Sequence, residues 1–506
     1  MLDLIIENGT LIDGTGTPRR RADVGVSNGR VDAVGDLRDA QAARRIEASG
    51  RVVCPGFIDL HTHCGFDPKH SRANATINYL QQGVTTVVGG NCGFGPTDLA
   101  AILAVPDAVA DGPNLAMMIG HNSIRLAVMD QADRVPSPAE LDAMKRLVRA
   151  AMECGAIGFS SGLYYVPGCY ATTDEVAELA KTAAAYGGFY STHMRTEGDG
   201  IDTALKEAIQ VGRASGLPVQ VSHHKVSGLA NWGRSVETLA LIEAARAEGI
   251  DVSPDQYPYT ASCARIGIIL PRWVCAGSDA EARARLQDAS TRSRAGAEAG
   301  ALLKNVYGGE LERIAIATSV IRPELAGKTF ADIAVERDAA DPYADMAEFV
   351  MDLAGERPAS CDTMCIFHSM CEADVERIMA YEHTAIASDG WSVEFGAGHP
   401  HPRLYGTFPR VLAHYCRERL LFPLEEAVRK MTSLPAARLG IHDRGILTPG
   451  THADITVFDP ETVADRATFA DPHQYPVGID FVIVNGEIVL DHGTHTGALP
   501  GVFIPR

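Results

Sequence analysis

Two histidines one residue apart, His61 and His63, close the apolar stretch Cys54-Pro55-Gly56-Phe57-Ile58-Asp59-Leu60. Residues i and i+2 of a strand point to the same face, so the two imidazoles face one way and can grip a divalent metal. A His-x-His alone is more often structural; the weight comes from further donors along the chain. Cys92 lies in Gly89-Gly90-Asn91-Cys92-Gly93, His193 follows Thr192, the pair His223-His224 precedes Lys225, and Asp389 lies in Ser388-Asp389-Gly390. Each closes an apolar, strand-like run. Imidazole, thiolate and carboxylate are zinc donors, and a catalytic zinc keeps one position for water. That water loses its proton near neutral pH and becomes a nucleophile, and a nearby carboxylate can carry the proton to a leaving group. Asp389 is the acid placed among these strand ends, so it takes that role. Cys92 is read as a ligand because Gly90 and Gly93 beside it allow close approach. Cys64 adjoins the site without an assigned part, and the remaining cysteines show no paired metal spacing beyond Cys361-x-x-x-Cys365. Histidine is only 17 of 506 residues, so this many donors at strand ends predict a metal site.

Donors drawn from such distant segments need a fold that gathers strand ends. Apolar runs at Val52–Leu60, Thr85–Gly90, Leu115–Gly120, Ala156–Ser161, Gly188–His193, Pro218–His223, Ile250–Gln256 and Thr384–Ser388 alternate with helical patterns such as Leu141–Cys154 and Thr173–Tyr186. Thr172 or Thr173 is a fitting N-cap for the latter. Eight such βα units predict an α/β fold, a (β/α)8 TIM-like barrel with its chemistry at the C-terminal strand ends. The long gap between strands 7 and 8 predicts an inserted subdomain at about 275–350, placed to act as a lid. Both chain termini read as short strands with Asn-Gly turns, at Asn8-Gly9, Asn28-Gly29 and Asn485-Gly486. They predict one small β-sandwich made from residues 1–57 and 441–506, around a catalytic barrel over 58–440.

Composition narrows the function. At 46% apolar and 22% charged the chain is ordinary for a globular protein. A formal charge of −19 argues against nucleic acid, whose phosphates it repels. No apolar run approaches the ~20 residues of a membrane span, and Met1-Leu2-Asp3-Leu4-Ile5-Ile6-Glu7 has no signal-peptide pattern. Eleven cysteines, an odd number in a long chain, fit a reducing cytoplasm better than a disulfide framework. The expectation is a cytoplasmic enzyme of a small molecule; a homo-oligomer is left open.

The full set of motifs resembles the amidohydrolase superfamily and, within it, the N-acyl-D-amino-acid deacylases (D-aminoacylases). The likeness runs through Pro55-Gly56-Phe57-Ile58-Asp59-Leu60-His61-Thr62-His63, Gln82–Gly93, Ser191-Thr192-His193-Met194-Arg195-Thr196-Glu197-Gly198, Val221-Ser222-His223-His224-Lys225, Asp255-Gln256-Tyr257-Pro258-Tyr259, Ser388-Asp389-Gly390 and His401–Arg410. The resemblance implies that Cys92, His193 and His223 hold one tight Zn2+, and that His61, His63 and Asp389 line a second, weak or empty site. It selects His223 over His224, which then packs behind the sheet. It also implies that Lys225, Tyr257 and Arg403 contact substrate, the cations at its free carboxylate and the Tyr hydroxyl at the oxyanion. The expected reaction is zinc-dependent hydrolysis of an N-acyl-D-amino acid to a carboxylate and a free D-amino acid, with metal-bound hydroxide as nucleophile and Asp389 as general base and acid. Arg265 or Arg272 are candidates to select an acidic side chain. Two alternatives stand beside it. Cyclic-amide hydrolases (hydantoinase- or dihydroorotase-like) bridge two metals with a strand-4 lysine, and Ala156–Leu163 contains none. A non-catalytic assembly protein on the same fold would be expected to lack ligands at some strand ends. One departure from the deacylase pattern is Cys64-Gly65-Phe66-Asp67, where many members carry an acidic pair.

Overall fold

The apolar runs that alternate with helices form a single eight-stranded parallel sheet, seen in a computed structural model that describes residues 1–65, 76–104, 112–355, 358 and 361–506. Phe66 and Asp67, noted above, lie outside the described residues. In chain order the strands are Phe57–Asp59, Val84–Gly89, Asn114–Gly120, Gly158–Gly162, Phe189–His193, Val219–Val221, Val252–Gln256 and Ala385–Ile386, each paired with its sequence neighbour. Closure comes from a parallel bridge between Thr62 and Gly390. There His63 N–H donates to the Gly390 carbonyl at 2.7 Å and Asp389 N–H donates to the His61 carbonyl at 2.9 Å. The closing contacts of the barrel are therefore made by the same backbone that carries ligand-type side chains.

The run Val52–Leu60 is two strands rather than one. Val52–Pro55 pairs with Thr10–Leu11 and Ile455–Phe458 outside the barrel, whereas Phe57–Asp59 pairs inside it. Gly56 makes the transfer: a Cβ there would sit 2.2 Å from Thr85 Cγ2 and Oγ1, so only glycine lets the chain pass this close. Asn8-Gly9 also differs from a hairpin turn. Leu2–Glu7 and Thr10–Leu11 on either side of it belong to different sheets, of four and seven strands. Asn28-Gly29 and Asn485-Gly486 do close hairpins, at Ser27↔Arg30 and Val484↔Glu487. The two sheets bury one shared apolar cluster, including Leu4, Val24 and Ile46 from the start of the chain and Ile455, Phe481 and Ile483 from its end. They form the sandwich built from both termini.

Helices start where the local chemistry dictates. Pro138–Glu153 begins with Ser137 and Glu140 in a reciprocal capping box and Pro138 in the first turn, where its missing N–H costs nothing. It buries Met144, Val148, Ala151 and Met152 along one face. Thr172 is the N-cap of Thr173–Ala184, its side chain accepting from Glu175 N–H. Between barrel strands 7 and 8 an antiparallel sheet of Ser262–Arg265, Met364–Phe367 and Ile314–Thr318 packs with the helices Asp279–Gln287, Ala289–Val306, Phe330–Glu336 and Pro342–Ala354. These elements share their own apolar cluster, including Ile266, Leu303, Ile316, Phe330 and Val350. Among the described residues no helix is long and apolar enough to cross a membrane.

Candidate metal centre

The donors nominated from the sequence meet at the C-terminal mouth of the barrel. Cys92 Sγ lies 3.3 Å from His61 Nε2, 3.5 Å from His223 Nε2 and 3.8 Å from His193 Nδ1. Asp389 Oδ1 lies 2.9 Å from His63 Nε2 and 3.4 Å from His61 Nε2. These side chains form two groups that share Cys92: Cys92 with His193 and His223, and Cys92 with His61, His63 and Asp389. Within each group all ligand atoms fall within 4.8 Å of one another. A thiolate with imidazoles is a zinc-type donor set, and the carboxylate group suits a second, harder site.

Three of these residues hold left-handed backbone: Cys92 (φ 54°), His223 (φ 35°) and Asp389 (φ 51°). Such conformations cost a non-glycine residue of order 1–3 kcal/mol and persist only when their surroundings impose them. Here the imposing contacts are visible. His223 N–H donates to Asp255 Oδ1 at 2.7 Å, and Asp389 N–H is held by the His61 carbonyl. Gly93 next to Cys92 is required as well, because a Cβ there would meet Asn122 Oδ1 at 2.1 Å. Each strand end thus turns sharply and aims its side chain inward.

Two carboxylates behind the donors had no role assigned from the sequence. Asp255 Oδ1 lies 3.1 Å from His61 Nδ1 while also receiving His223 N–H, so it ties both groups together. Glu197 Oε1 lies 2.9 Å from His223 Nδ1 and 2.5 Å from Lys225 Nζ, and its Oε2 lies 3.8 Å from His193 Nε2. Glu197 and the Lys225 ammonium, whose Nζ lies 2.7 Å from the same Nδ1, both face this edge of the His223 ring and leave Nε2 toward Cys92; groups behind ligand histidines orient them in this way. The signal available in the sequence was spacing: Glu197 stands four residues after His193. His224 turns away from the donors, its Nε2 2.9 Å from Thr238 Oγ1.

Electrostatics favour the thiolate of Cys92 and the carboxylate of Asp389. Burial alone would keep the Cys92 thiol protonated, but His61 and His223 hold it well below the ordinary thiol range. Burial likewise opposes charge on Asp389, and the Arg403 guanidinium outweighs it, holding the carboxyl well below the usual carboxylate range. Arg403 Nη1 is 2.8 Å from Asp389 Oδ2, an ion pair without hydrogen-bond alignment. Arg403 is 1% exposed, and its Nε and Nη1, like the Tyr257 hydroxyl, are buried without a hydrogen-bond partner. The guanidinium stacks 4.8 Å from the Tyr257 ring centroid. Lys225 also lies at the site, with Nζ donating to Glu197 and to the His223 carbonyl at 2.9 Å. Beside the donors opens a cavity of about 270 Å³, bounded by His193, His223, Lys225 and Asp389 on the barrel side and by Cys263, Ile268 and Tyr307 of the insertion. Arg265 and Arg272 stand apart from it: Arg265 Nη1 donates to the Cys361 carbonyl at 3.1 Å, and Arg272 Nη2 donates to the Arg195 carbonyl at 3.0 Å.

Comparison with known proteins agrees with this architecture. A model of the amidohydrolase family matches residues 44–305 and 373–490. A D-aminoacylase of Alcaligenes xylosoxydans xylosoxydans is 42% identical over 531 aligned positions, spanning 100% of this chain and 98% of its own. Among solved structures, a D-aminoacylase with a binuclear metal centre superposes over the whole of both chains with a TM-score of 0.82 at 40% identity. An N-acyl-D-glutamate deacylase from Bordetella bronchiseptica, complexed with zinc and a phosphonate inhibitor, does so with a TM-score of 0.82 at 37% identity. The chain belongs to the amidohydrolase family and, within it, to the D-aminoacylases.

Proposed function

We propose that this chain hydrolyses the amide bond of N-acyl-D-amino acids, releasing a carboxylate and a free D-amino acid. The observation that carries the reading is one constellation: a Cys92–His193–His223 donor set, an ionised Asp389 against it and ion-paired with Arg403, and the buried Tyr257 hydroxyl without a hydrogen-bond partner alongside. Cys92, His193 and His223 hold a tight zinc, and His61, His63 and Asp389 line a weaker second position. Zinc bound there supplies Lewis acidity, polarising the amide carbonyl and bringing the proton loss of water near neutral pH. Asp389 accepts that proton and delivers it to the departing nitrogen, which requires the ionised form that Arg403 maintains. The Tyr257 hydroxyl, kept protonated by burial, donates to the carbonyl oxygen as negative charge develops on it. Arg403 and Lys225 face the free α-carboxylate of the substrate. Strand 4, Gly158–Gly162, brings no lysine to this mouth, which supports a linear amide over the ring-opening chemistry of a lysine-bridged metal pair. The full complement of strand-end donors supports an enzyme over a scaffold. All eleven cysteines are free thiols, in keeping with a reducing cytoplasm, and the charge of −19 suits a small-molecule substrate rather than nucleic acid.

The test is amine release from paired N-acetyl-D- and L-amino acids by zinc-loaded protein, beside Asp389→Asn. Turnover of the D series, lowered at least about 10³-fold by the substitution, is expected; preference for the L series or intact turnover in Asp389→Asn overturns the reading.

A further inference from the structure

We infer that His401 is a positioning residue for the reaction: it fixes Arg403 where the substrate α-carboxylate binds, and is itself braced by the C-terminal part of the sandwich. This rests on the deacylase reading above and deepens it. The Arg403 side chain has little of its own to hold it. Its Nε and Nη1 are buried without a hydrogen-bond partner. Its guanidinium is ion-paired with Asp389 and stacks 4.8 Å from the Tyr257 ring centroid and 5.8 Å from that of Trp391. Ion pairing and stacking without aligned hydrogen bonds leave the group free to slide, so its place is set from the backbone.

Arg403 opens the helix Arg403–Arg410, whose N-cap residue, Pro402, has no capping side chain. The acceptor comes from His401 instead. Its Nδ1 receives Arg403 N–H at 3.0 Å, and its Nε2 lies 2.9 Å from the Ala261 carbonyl. A carbonyl only accepts, so the ring proton sits on Nε2 and the Nδ1 lone pair is committed to Arg403. The ring is fully buried, and burial, with Arg403 nearby, holds its pKa well below the usual imidazole range. Ala261 belongs to the segment that leaves barrel strand 7 carrying Tyr257. Two more bonds join that segment to residues 402–410: the Tyr259 hydroxyl donates to the Pro402 carbonyl at 3.4 Å, and Arg410 Nε donates to the Pro258 carbonyl at 2.8 Å. His401 therefore spans the two stretches that carry the substrate-facing side chains Tyr257 and Arg403. Residues 459–478, between the sandwich strands Ile455–Phe458 and Ile479–Val484, reach the same point. Phe469 packs its ring 5.0 Å from the His401 ring and 6.2 Å from that of Tyr259, and its carbonyl accepts from His399 Nε2 at 2.7 Å. Asp465 pairs with Arg410 at 3.2 Å. The sandwich thus holds the ring that holds Arg403.

The experiment is steady-state kinetics of zinc-loaded His401→Leu and His401→Asn beside the parent, on N-acetyl-D-leucine or N-acetyl-D-glutamate, whichever the parent hydrolyses faster. In His401→Leu, KM is expected to rise at least about 10-fold, as for a lost hydrogen bond to a charged group. Its kcat stays within about 3-fold, because the carboxylate contact is equal in ground and transition states. Asn offers an acceptor to the N–H two residues on, so His401→Asn brings KM back to within about 3-fold of the parent. A merely structural role would instead lower kcat with the active fraction and leave KM unchanged. Phe469→Leu, at a half-buried position, carries the test if His401→Leu does not fold, with KM raised at least about 3-fold by the lost ring contact. An unchanged KM in the folded variant, or an Asn variant no better than Leu, overturns the inference and leaves the deacylase reading standing; a parent that hydrolyses neither substrate overturns both.

Discussion

Glu197 gives the sharpest test of how this centre is held. Its carboxylate lies within 2.9 Å of His223 Nδ1 and 2.5 Å of Lys225 Nζ, and Lys225 and His223 are 4% and 2% exposed. Replacing Glu197 by Gln keeps the shape and removes the charge. The substitution has two consequences of different kinds. First, the buried Lys225 ammonium loses its counter-charge, and breaking one side of a buried pair costs about 3–5 kcal/mol. Second, His223 loses the carboxylate charge beside its Nδ1, and losses of this outer-shell type lower metal affinity roughly 10- to 100-fold. The assays separate them. Urea unfolding of the metal-stripped protein reads the first, and zinc competition against a chromophoric chelator reads the second. Glu197→Gln with Lys225→Met removes both charges, so it regains most of the lost stability while zinc affinity stays low, because the carboxylate charge beside His223 is still missing. An unchanged unfolding midpoint together with wild-type zinc retention in Glu197→Gln would refute the reasoning. Loss of zinc affinity in Lys225→Met alone, as large as in Glu197→Gln, would assign the positioning to the lysine instead.

Three further outcomes are expected. Tyr257→Phe removes a buried hydroxyl with no hydrogen-bond partner, so kcat falls about 10²- to 10³-fold while the thermal midpoint holds or rises slightly, since an unsatisfied polar group is costly; unchanged kcat would remove Tyr257 from the oxyanion role. His224 is fully buried, and burial holds its pKa down to about 4, against about 6.5 in an unfolded chain. The unfolded chain thus binds the extra proton, and stability that is complete above pH about 6.5 is lost as pH falls toward 4, by about 3 kcal/mol. His224→Gln therefore flattens the acid limb, read as unfolding midpoints at pH 7.5 and 5; an identical pH dependence in both proteins contradicts the assignment. Gly56→Ala forces a Cβ to 2.2 Å from two Thr85 atoms and lowers stability by about 1–3 kcal/mol, checked by urea unfolding; a variant as stable as the parent would mean that the strand crossing is not tight.

The features legible in the chain are those that depend on local pattern alone. The barrel strands could be read because burial on both faces leaves short runs without charged residues and largely apolar, as in Val84–Gly89 and Asn114–Gly120, and ligand-type residues at their ends need no partner to be noticed. The same apolar continuity hid the break at Gly56. Both halves of Val52–Leu60 are buried, so hydropathy is identical on either side of the point where the chain leaves one sheet for another. That break is marked only by a close approach to Thr85, a residue of the next strand. Asn8-Gly9 hides its role for a related reason: the dipeptide fixes a local bend, not which sheet the following strand joins. The ligand set and its support divide along the same line. Cys92, His193 and His223 are recognisable by type and position, whereas Asp255 and Glu197 act through atoms on other strands: Asp255 receives hydrogen bonds from Gln220 in strand 6 and His223 just after it, and faces His61 after strand 1. Their roles exist only once strands 1, 5, 6 and 7 stand around one axis. The acid-selecting role offered to Arg265 and Arg272 was open for the same cause. A guanidinium reaches far enough to enter a cavity or to turn from it, and here backbone carbonyls at Cys361 and Arg195 capture both. Those partners lie 77 and 96 residues away in sequence, which is why no local pattern could say where either guanidinium turns.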